Sequence, residues 1–460
     1  MYQGLYIYLS ARKERRDLLL SQRPPRFDES LDSMISRSED DFTRVALKAK
    51  AAQDYFLLIG PPGTGKTSCA LKKMVETFHA DKDAQILLLS YTNRAVDEIC
   101  KSLASIAPAV DFIRVGSELS CDEAYRGHLI ENELSSCNRR SEVYERIRNC
   151  RIIVGTVAAI SGKPELFRLK HFDVAIIDEA TQILEPQLLG ILCARGEDGK
   201  DAIDKFVLIG DHKQLPAVVQ QNTEQSAIYD ESLLSIGLTN LKDSLFERLY
   251  RNCTATVHRS YDMLCRQGRM HPEVALFANR AFYGGRLIPV GLPHQIESSD
   301  TICRLAFYPS VPEKAGASAK INYSEARIVA DLAVRIYEDH QTDFDESRTL
   351  GIITPYRSQI ALIKKEIESL GIPALNRILV DTVERFQGSE RDVIIYSFCV
   401  NYPYQLKFLS NLTEEEGVLI DRKLNVALTR ARKQMFITGV PELLERNPLY
   451  KSLLKLIESF

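Results

Sequence analysis

The sequence lacks the features of a membrane, secreted or metal-cluster protein. No apolar run in its 460 residues approaches the roughly 20 residues that a helix needs to cross a bilayer. The start, Met1-Tyr2-Gln3-Gly4, does not show the basic and then apolar pattern of a signal peptide. The 10 cysteines include no Cys-x-x-Cys pair, so zinc and iron–sulfur clusters are not indicated. We therefore expect reduced thiols, a cytoplasmic location and no membrane partner.

The sequence also lacks a strong net charge. Its formal charge is −3 at pH 7, so no global basic field draws the chain to nucleic acid. Any binding of nucleic acid must therefore depend on a local part of the surface. Hydrophobic residues make up 45% of the chain and charged residues 26%, as in soluble globular proteins. At this length the chain can form two or three domains, each with its own core.

The stretch 60–67, which reads GPPGTGKT, has the pattern of a phosphate-binding loop. It follows the apolar run 56–59 and precedes a helix-like segment from Ser68 to His79, which is the context that a P-loop requires. Glycines let backbone N–H groups approach a polyphosphate, and the next helix directs its positive end at the same anion. An ordinary glycine turn is the alternative, and the spacing and flanking elements disfavour it. The predicted phosphate-binding residues are Gly60, Pro61, Pro62, Gly63, Thr64, Gly65, Lys66, Thr67 and Ser68.

Two of these residues have a defined chemistry in P-loops. Lys66 is predicted to reach the β- and γ-phosphates, and the Thr67 hydroxyl to coordinate Mg²⁺. Asp178 and Glu179 directly follow the apolar run 174–177. Asp178 is predicted to hold the metal with Thr67, and Glu179 to act as the base for the attacking water. A solvent-facing acidic pair at a helix start is the alternative.

Short apolar runs alternate with helix-length segments from the P-loop onward. Continuous apolar strands between helices indicate parallel sheets covered on both faces. We therefore predict an α/β fold with two tandem doubly wound parallel-sheet domains. The predicted divisions are a helical lead-in at 1–44, a first domain at 45–258 with a polar helical insertion at about 116–150, and a second domain at 259–460.

The order of seven motifs resembles that of the superfamily 1 helicases, an AAA-type group of P-loop ATPases. The motifs read GPPGTGKT, DEATQ, GDHKQLP, QGRMHP, TPYRSQ, VDTVERFQGSERDV and LNVALTRAR. Over about residues 45–440 the chain is similar to the branch that contains the nonsense-mediated-decay RNA helicase and the helicase–nuclease of lagging-strand maturation. The resemblance implies the motor core alone: two RecA-like domains, with ATP and Mg²⁺ bound in the cleft between them.

The resemblance also implies roles for single residues. Arg269 and Arg430 match the family's two γ-phosphate arginines, which neutralise charge on the transferring phosphoryl group. Gln214 suits a sensor of the nucleotide state, because its amide can bond both a γ-phosphate and a water. Gly388 and Glu390 match the contact to the ribose and phosphate edge. The predicted catalytic set is Lys66, Glu179, Gln214, Arg269 and Arg430. For Arg432, a structural salt bridge and a catalytic role stay open.

Nucleic-acid contacts are expected at strand ends of both domains. Small hydroxyl and amide side chains there can bond phosphates without reading bases. An aromatic side chain among them, Tyr356, can stack on a base. Loop capping is the alternative for each residue taken singly. The contacts that the resemblance implies, by match to the family's motifs, are Thr92, Asn93, Gly155, Thr156, Thr354, Tyr356 and Thr382.

Some features depart from the family pattern. The segment Asp40–Arg44 contains no glutamine to read adenine, and Gly268 stands where the family has a tyrosine. Both changes leave the preference for ATP over other nucleotides open. No accessory β-barrel fits in the lead-in, and no nuclease carboxylate cluster is visible. Two interpretations stay open: a motor portion whose nuclease or accessory domain lies in a further N-terminal segment or on a partner, and a naturally minimal motor.

The sequence predicts an ATP-dependent helicase or translocase on single-stranded nucleic acid, with 5′→3′ polarity implied by the resemblance alone. An ATP-gated clamp or remodeller without processive unwinding is the alternative, favoured by the missing accessory domain. An inactive scaffold is disfavoured, because the predicted catalytic residues and Asp178 are all present. Phosphate contacts carry no base or sugar identity, so DNA and RNA both stay open as the track.

Overall fold

The chain folds into two compact units. The computed structural model describes residues 2–221, 224–256, 258–298, 302–313, 318–415 and 417–459. Unit 1 comprises Met1–Pro61, Gly65–His212 and Pro216–Leu264. Unit 2 comprises Cys265–Phe460 with two short segments, Pro62–Thr64 from the P-loop and Lys213–Leu215 from a later loop.

Unit 1 is built on a seven-stranded parallel sheet. The strand order is β3-β4-β2-β5-β6-β1-β7. Successive side chains of a strand point to opposite faces. Leu57 and Ile59 accordingly join one apolar cluster, and Phe56 and Leu58 join another. Both faces of the sheet are therefore covered, as the continuous apolar runs predict. The strands are β1 Tyr55–Ile59, β2 Ile86–Ser90, β3 Phe112–Val115, β4 Ile152–Thr156, β5 Phe172–Ile177, β6 Ile203–Gly210 and β7 Tyr261–Met263.

Helices cover this sheet and include the lead-in. Helix α1 packs against helix α11 where Gly4 meets Gly190. A Cβ on Gly4 would lie 2.5 Å from the Pro186 carbonyl oxygen, so this close approach requires glycine. Two helices, α7 and α8, form the predicted helical insertion between β3 and β4. The helices are α1 Tyr2–Leu9, α2 Lys13–Leu19, α3 Asp32–Arg37, α4 Asp41–Ala51, α5 Lys72–His79, α6 Asn93–Ala104, α7 Ile130–Glu133, α8 Arg140–Asn149, α9 Val157–Ser161, α10 Glu165–Leu169, α11 Glu185–Leu192, α12 Glu231–Ser235 and α13 Leu245–Ala255.

Unit 2 is built on a five-stranded parallel sheet of order β10-β16-β13-β11-β12. Two short pairs accompany it, β8 with β9 in parallel and β14 with β15 as an antiparallel hairpin. The strands are β8 Arg266–Gln267, β9 Ile288–Pro289, β10 Leu305–Pro309, β11 Leu350–Ile353, β12 Leu379–Asp381, β13 Arg391–Ser397, β14 Leu412–Glu415, β15 Val418–Asp421 and β16 Ala431–Gly439.

The helices of unit 2 include two long ones, α16 and α17, whose apolar sides join the core beside β11 and β13. The full set is α14 Pro272–Tyr283, α15 Pro293–Ile296, α16 Tyr323–Asp339, α17 Arg357–Ser369, α18 Val383–Phe386, α19 Leu406–Leu409, α20 Arg422–Leu428, α21 Pro441–Leu444 and α22 Pro448–Ile457. The predicted α/β class with two parallel sheets is confirmed. Within the described ranges, no helix has the length and apolar character to cross a membrane.

Candidate functional site

The P-loop has the backbone shape of a phosphate cradle. It connects β1 to a π-helical turn, Lys66–Leu71, which leads into α5 in place of the continuous helix that the sequence predicts. Gly63 and Gly65 have φ angles of +74° and +75°, which glycine adopts without strain. A Cβ on Gly60 would lie 2.0 Å from Cγ of Lys66, so that position has no room for a side chain. Of the other predicted residues here, Pro61, Pro62 and Thr64 are buried and Ser68 is exposed.

Four of the predicted residues converge at the end of β5. The Lys66 Nζ lies 3.3 Å from Oε1 of Glu179. The Thr67 hydroxyl donates to Oδ2 of Asp178 at 2.5 Å, and the Glu179 backbone N–H donates to Oδ1 at 2.9 Å. Asp178 is only 1% exposed. The structure thus brings the lysine, the two carboxylates and the hydroxyl into one cluster.

Glu179 has an unusual backbone conformation, and its side chain bonds a residue that the sequence did not single out. Its φ is +53°, in the left-handed region that non-glycine residues rarely adopt. Strain of this kind persists where surrounding groups fix it, often at functional sites. The Gln182 amide donates to Oε2 of Glu179 at 2.9 Å. Gln182 is the last residue of the DEATQ motif, three residues after Glu179. That spacing is the sequence feature that could have predicted the contact.

The electrostatics of this cluster fit a nucleotide with Mg²⁺. Burial lowers the pKa of the Lys66 ammonium, but the charges of Glu179, Asp178 and Asp211 outweigh it and raise that pKa. Burial and the charge of Glu179 raise the pKa of Asp178. A buried carboxylate beside a hydroxyl is an oxygen donor pair of the kind that Mg²⁺ prefers. Thr67 and Asp178 therefore fit the metal, and Lys66 fits the phosphates.

The predicted arginines lie in unit 2, each beside a polar partner. Arg430 is 2% exposed, and its Nη2 donates to Oε1 of Gln214 at 3.3 Å, within the unit 2 segment Lys213–Leu215. Arg269 Nε contacts Oε2 of Glu390 at 2.5 Å. Burial opposes ionisation of Glu390, but the charge of Arg269 prevails and lowers its pKa.

Two further residues predicted near the nucleotide also lie in unit 2. Arg432 contacts Glu390 at 3.7 Å and Asp392 at 3.3 Å, which are the contacts expected for a structural salt bridge. Gly388 has a φ of +78° in the turn after α18. Glu390, which the resemblance assigns to the ribose edge, is thus held in this structure by two arginines.

Both departures from the family pattern have a structural counterpart. A Cβ on Gly268 would lie 3.2 Å from Cδ1 of Leu292 and 3.4 Å from Cγ2 of Val290, so a larger residue requires these side chains to shift by a few tenths of an ångström. In the segment without a glutamine, Phe42 stands in the first turn of α4. The tip of its ring lies 3.4 Å from the position of a Cβ on Gly65. The structure therefore places an aromatic ring, not an amide, against the P-loop.

The nucleic-acid candidates of unit 1 cap two helices at one edge of the sheet. Thr92 accepts from the Ala95 N–H at the start of α6, and Thr156 accepts from the Ala159 N–H at the start of α9. The register pairs Ser90 with Thr156, so the two loops are neighbours. Thr92 is exposed and Asn93 half-buried, whereas Gly155 and Thr156 are buried. Thr92 and Asn93 are therefore the accessible members of these four.

The candidates of unit 2 also share a sheet edge. The Thr354 N–H donates to the Asp381 carbonyl at 3.1 Å, which joins the ends of β11 and β12. Thr354 is fully buried, whereas Tyr356 and Thr382 are half-buried at the starts of α17 and α18. The Tyr356 hydroxyl accepts from the Gln405 amide at 3.1 Å. Tyr356 and Thr382 are therefore the accessible members of this group.

Comparison with known proteins gives a consistent family match. One family model described as an AAA domain matches residues 37–146 and 130–222, and a second with the same description matches residues 241–442. The chain is 28% identical to the DNA replication ATP-dependent helicase/nuclease DNA2 of Bos taurus, over 98% of this chain and 42% of the relative. It is 30% identical to the protein of that name in Gallus gallus, over 95% and 41%.

A shorter relative is also similar. The chain is 24% identical to the DNA polymerase alpha-associated DNA helicase A of Saccharomyces cerevisiae, over 91% of this chain and 67% of that protein. The chain therefore spans about two fifths of the helicase/nuclease relatives and two thirds of the yeast relative.

Proposed function

Because the chain belongs to the superfamily 1 helicases, in the branch of the nonsense-mediated-decay helicase and the DNA2 helicase/nucleases, we propose that it is an ATP-dependent motor on single-stranded DNA that separates duplexes. The observation that carries the proposal is the cluster of Lys66, Thr67, Asp178 and Glu179 at the end of β5. The cluster supplies a phosphate-binding cation, two metal-binding oxygens and a base in one place. Motor proteins of the P-loop class need these parts together.

Each residue of the cluster has a task in hydrolysis. Lys66 would bind the β- and γ-phosphate oxygens, and Thr67 and Asp178 would hold Mg²⁺. The cation would supply charge neutralisation at the phosphate oxygens. Lys66 is paired with Glu179 in the described structure. We propose that Lys66 leaves Glu179 to bond the phosphates. The Glu179 carboxylate is then free to accept a proton from the attacking water, while the Gln182 amide orients that carboxylate.

The arginines complete the proposed chemistry. Arg269 and Arg430 are proposed to neutralise the charge that develops on the transferring phosphoryl group. Such a guanidinium is worth about 10³–10⁵ in rate in related ATPases. Glu390 and Gln214 hold these side chains before they act. Gln214 is proposed to report the nucleotide state to Arg430, because it is bonded to that guanidinium.

DNA is the proposed track, because the relatives are named as DNA helicases. We propose 5′→3′ movement on the basis of the family. A clamp that hydrolyses ATP without unwinding is the competing function, since the chain spans only part of its longer relatives. A nuclease or accessory domain from a further segment or a partner is proposed for the same reason.

The test is steady-state ATP hydrolysis at low salt, first without polymer and then with single-stranded DNA or RNA. Low salt matters because phosphate contacts weaken steeply as salt rises. We expect strong stimulation by DNA, and displacement of a strand from a duplex with a 5′ single-stranded tail. Stimulation by RNA alone would reassign the track. Stimulation without strand displacement would favour the clamp, and hydrolysis that no polymer changes would overturn the proposal.

A further inference from the structure

We propose that residues 399–409 of unit 2, here named the aromatic loop, form a stacking site for unpaired nucleobases through Tyr404 and Phe408. The inference rests on the proposed function, since it extends the path of the single strand beyond the contacts predicted from the motifs. The ligand class is the face of an unpaired base, with the adjoining phosphate near Lys407.

The aromatic loop emerges at the edge of the sheet that carries the predicted nucleic-acid contacts. In unit 2, β13 pairs with β11, and β11 pairs with β12, all in parallel. Parallel strands bring their carboxyl ends to one edge of a sheet. Tyr356 follows β11, Thr382 follows β12, and the aromatic loop follows β13. Three consecutive strand ends therefore line one path.

A buried glutamine joins the aromatic loop to Tyr356. Gln405 is 2% exposed, and its Nε2 donates to the Tyr356 hydroxyl at 3.1 Å and to the Ala319 carbonyl at 2.8 Å. Its Oε1 accepts the N–H groups of Asn401 and Tyr402, each at 2.9 Å. One amide thus fixes both the path of the aromatic loop and the ring of a predicted base contact.

The base of the aromatic loop is fixed by a second buried group. Cys399 has a φ of +50°, which needs support in a non-glycine residue. Its N–H donates to the carboxyl of Glu325 at 2.8 Å, and the Ser397 hydroxyl donates to the same oxygen at 2.6 Å. Glu325 is fully buried in α16. A loop held in this way is preorganised, so little conformational entropy is lost when it binds a ligand.

The rings that this loop presents suit base stacking. Tyr404 is 55% exposed and stacks on Tyr402, with ring centroids 5.8 Å apart and planes 14° apart. In α19, Leu406 and Leu409 are buried, which leaves Lys407 exposed and Phe408 70% exposed. Aromatic faces hold bases of any sequence, and a lysine beside them adds a phosphate contact.

The small size of this surface favours a base over a protein partner. Because the two leucines of α19 are buried, the exposed apolar surface of the aromatic loop consists mainly of the rings of Tyr404 and Phe408. Stable protein interfaces bury about 800 Å² on each side, which is far more than two rings supply. A single base needs only one aromatic face.

The test compares Tyr404→Ala and Phe408→Ala with the wild-type chain. Fluorescence anisotropy measures the binding of a labelled oligothymidylate, and of an abasic strand of the same length. We expect each variant to bind oligothymidylate at least about fivefold more weakly. This fold-change corresponds to the lower end of the range for loss of one stacked base. Tyr404→Phe should restore binding. The control is Tyr229→Ala in unit 1, which removes another highly exposed tyrosine, 81% exposed, and should bind like wild type.

The abasic strand separates stacking from a merely structural effect. The wild-type chain should bind the abasic strand more weakly than oligothymidylate, and the two alanine variants should show a smaller difference between the strands. Wild-type binding by both variants, or equal loss on both strands, would overturn the stacking site. If the wild-type ATPase responds to no polymer, the proposed function itself fails, which is a distinct result.

Discussion

Removal of Gln182 tests the proposed orientation of the base. In Gln182→Ala, Glu179 loses the amide that donates to Oε2 at 2.9 Å and keeps its place after β5. A hydrogen bond to a charged group contributes about 1.5–3 kcal/mol. We take the lower end, because Gln182 is only half-buried and water can replace part of the bond. About 1.5 kcal/mol in the transition state corresponds to roughly a tenfold fall in kcat.

The assay is phosphate release under saturating single-stranded DNA, with ATP varied to separate kcat from KM. We expect kcat to fall about tenfold with KM for ATP little changed, since Gln182 contacts the base and not a phosphate-binding residue. Gln53→Ala is the matched control, because Gln53 is an exposed glutamine in the turn before β1. A kcat within twofold of wild type would refute the orienting role, and a raised KM with unchanged kcat would reassign Gln182 to nucleotide binding.

Three further changes test other parts of the chain. Lys66→Ala removes the cation proposed to bind the phosphates and should lower ATP turnover at least a hundredfold in the phosphate-release assay. Wild-type turnover would contradict the assignment of the site. Phe42→Ala should raise KM for ATP, GTP and UTP alike, and Phe42→Gln should favour ATP over the others, because an amide can read the edge of a nucleobase and a ring cannot. An unchanged KM for all three nucleotides would show that Phe42 does not contact the nucleobase. Glu325 bears on stability: burial raises its pKa to about 7, so the folded chain holds a proton there that the unfolded chain loses near pH 4.5. Stability should therefore fall by about 3 kcal/mol as pH rises from about 4.5 to about 7, and Glu325→Gln should remove that slope in denaturant unfolding; an equal slope in both proteins would contradict it.

The sequence was sufficient to predict the strands, and it named four residues that the structure brings together at the end of β5. The strands are continuous apolar runs because both faces of each sheet are buried, and such runs are visible without a structure. The P-loop is equally local, since its glycines and Lys66 act within one turn. Even here the π-helical turn at Lys66–Leu71 was not predicted, because its residues also fit an ordinary helix.

The remaining features depend on contacts between distant parts of the chain. Gln405 meets Tyr356 across 49 residues, and no spacing rule marks that pair. Glu325 looks like any polar residue of an amphipathic helix until β13 and its loop bury it. Phe42 occupies a segment in which the family pattern was absent, so only the structure shows its ring against the P-loop.

The ion pair between Lys66 and Glu179 has a consequence for affinity. In the proposed mechanism a nucleotide breaks this pair when Lys66 bonds its phosphates, so part of the phosphate contact is offset by the pair that is lost. Replacing Glu179 with glutamine removes that competition as well as the base. The variant should then bind ADP, which has no γ-phosphate to be hydrolysed, more tightly than the wild-type chain does. The carboxylate proposed as the base would therefore also favour release of the product ADP.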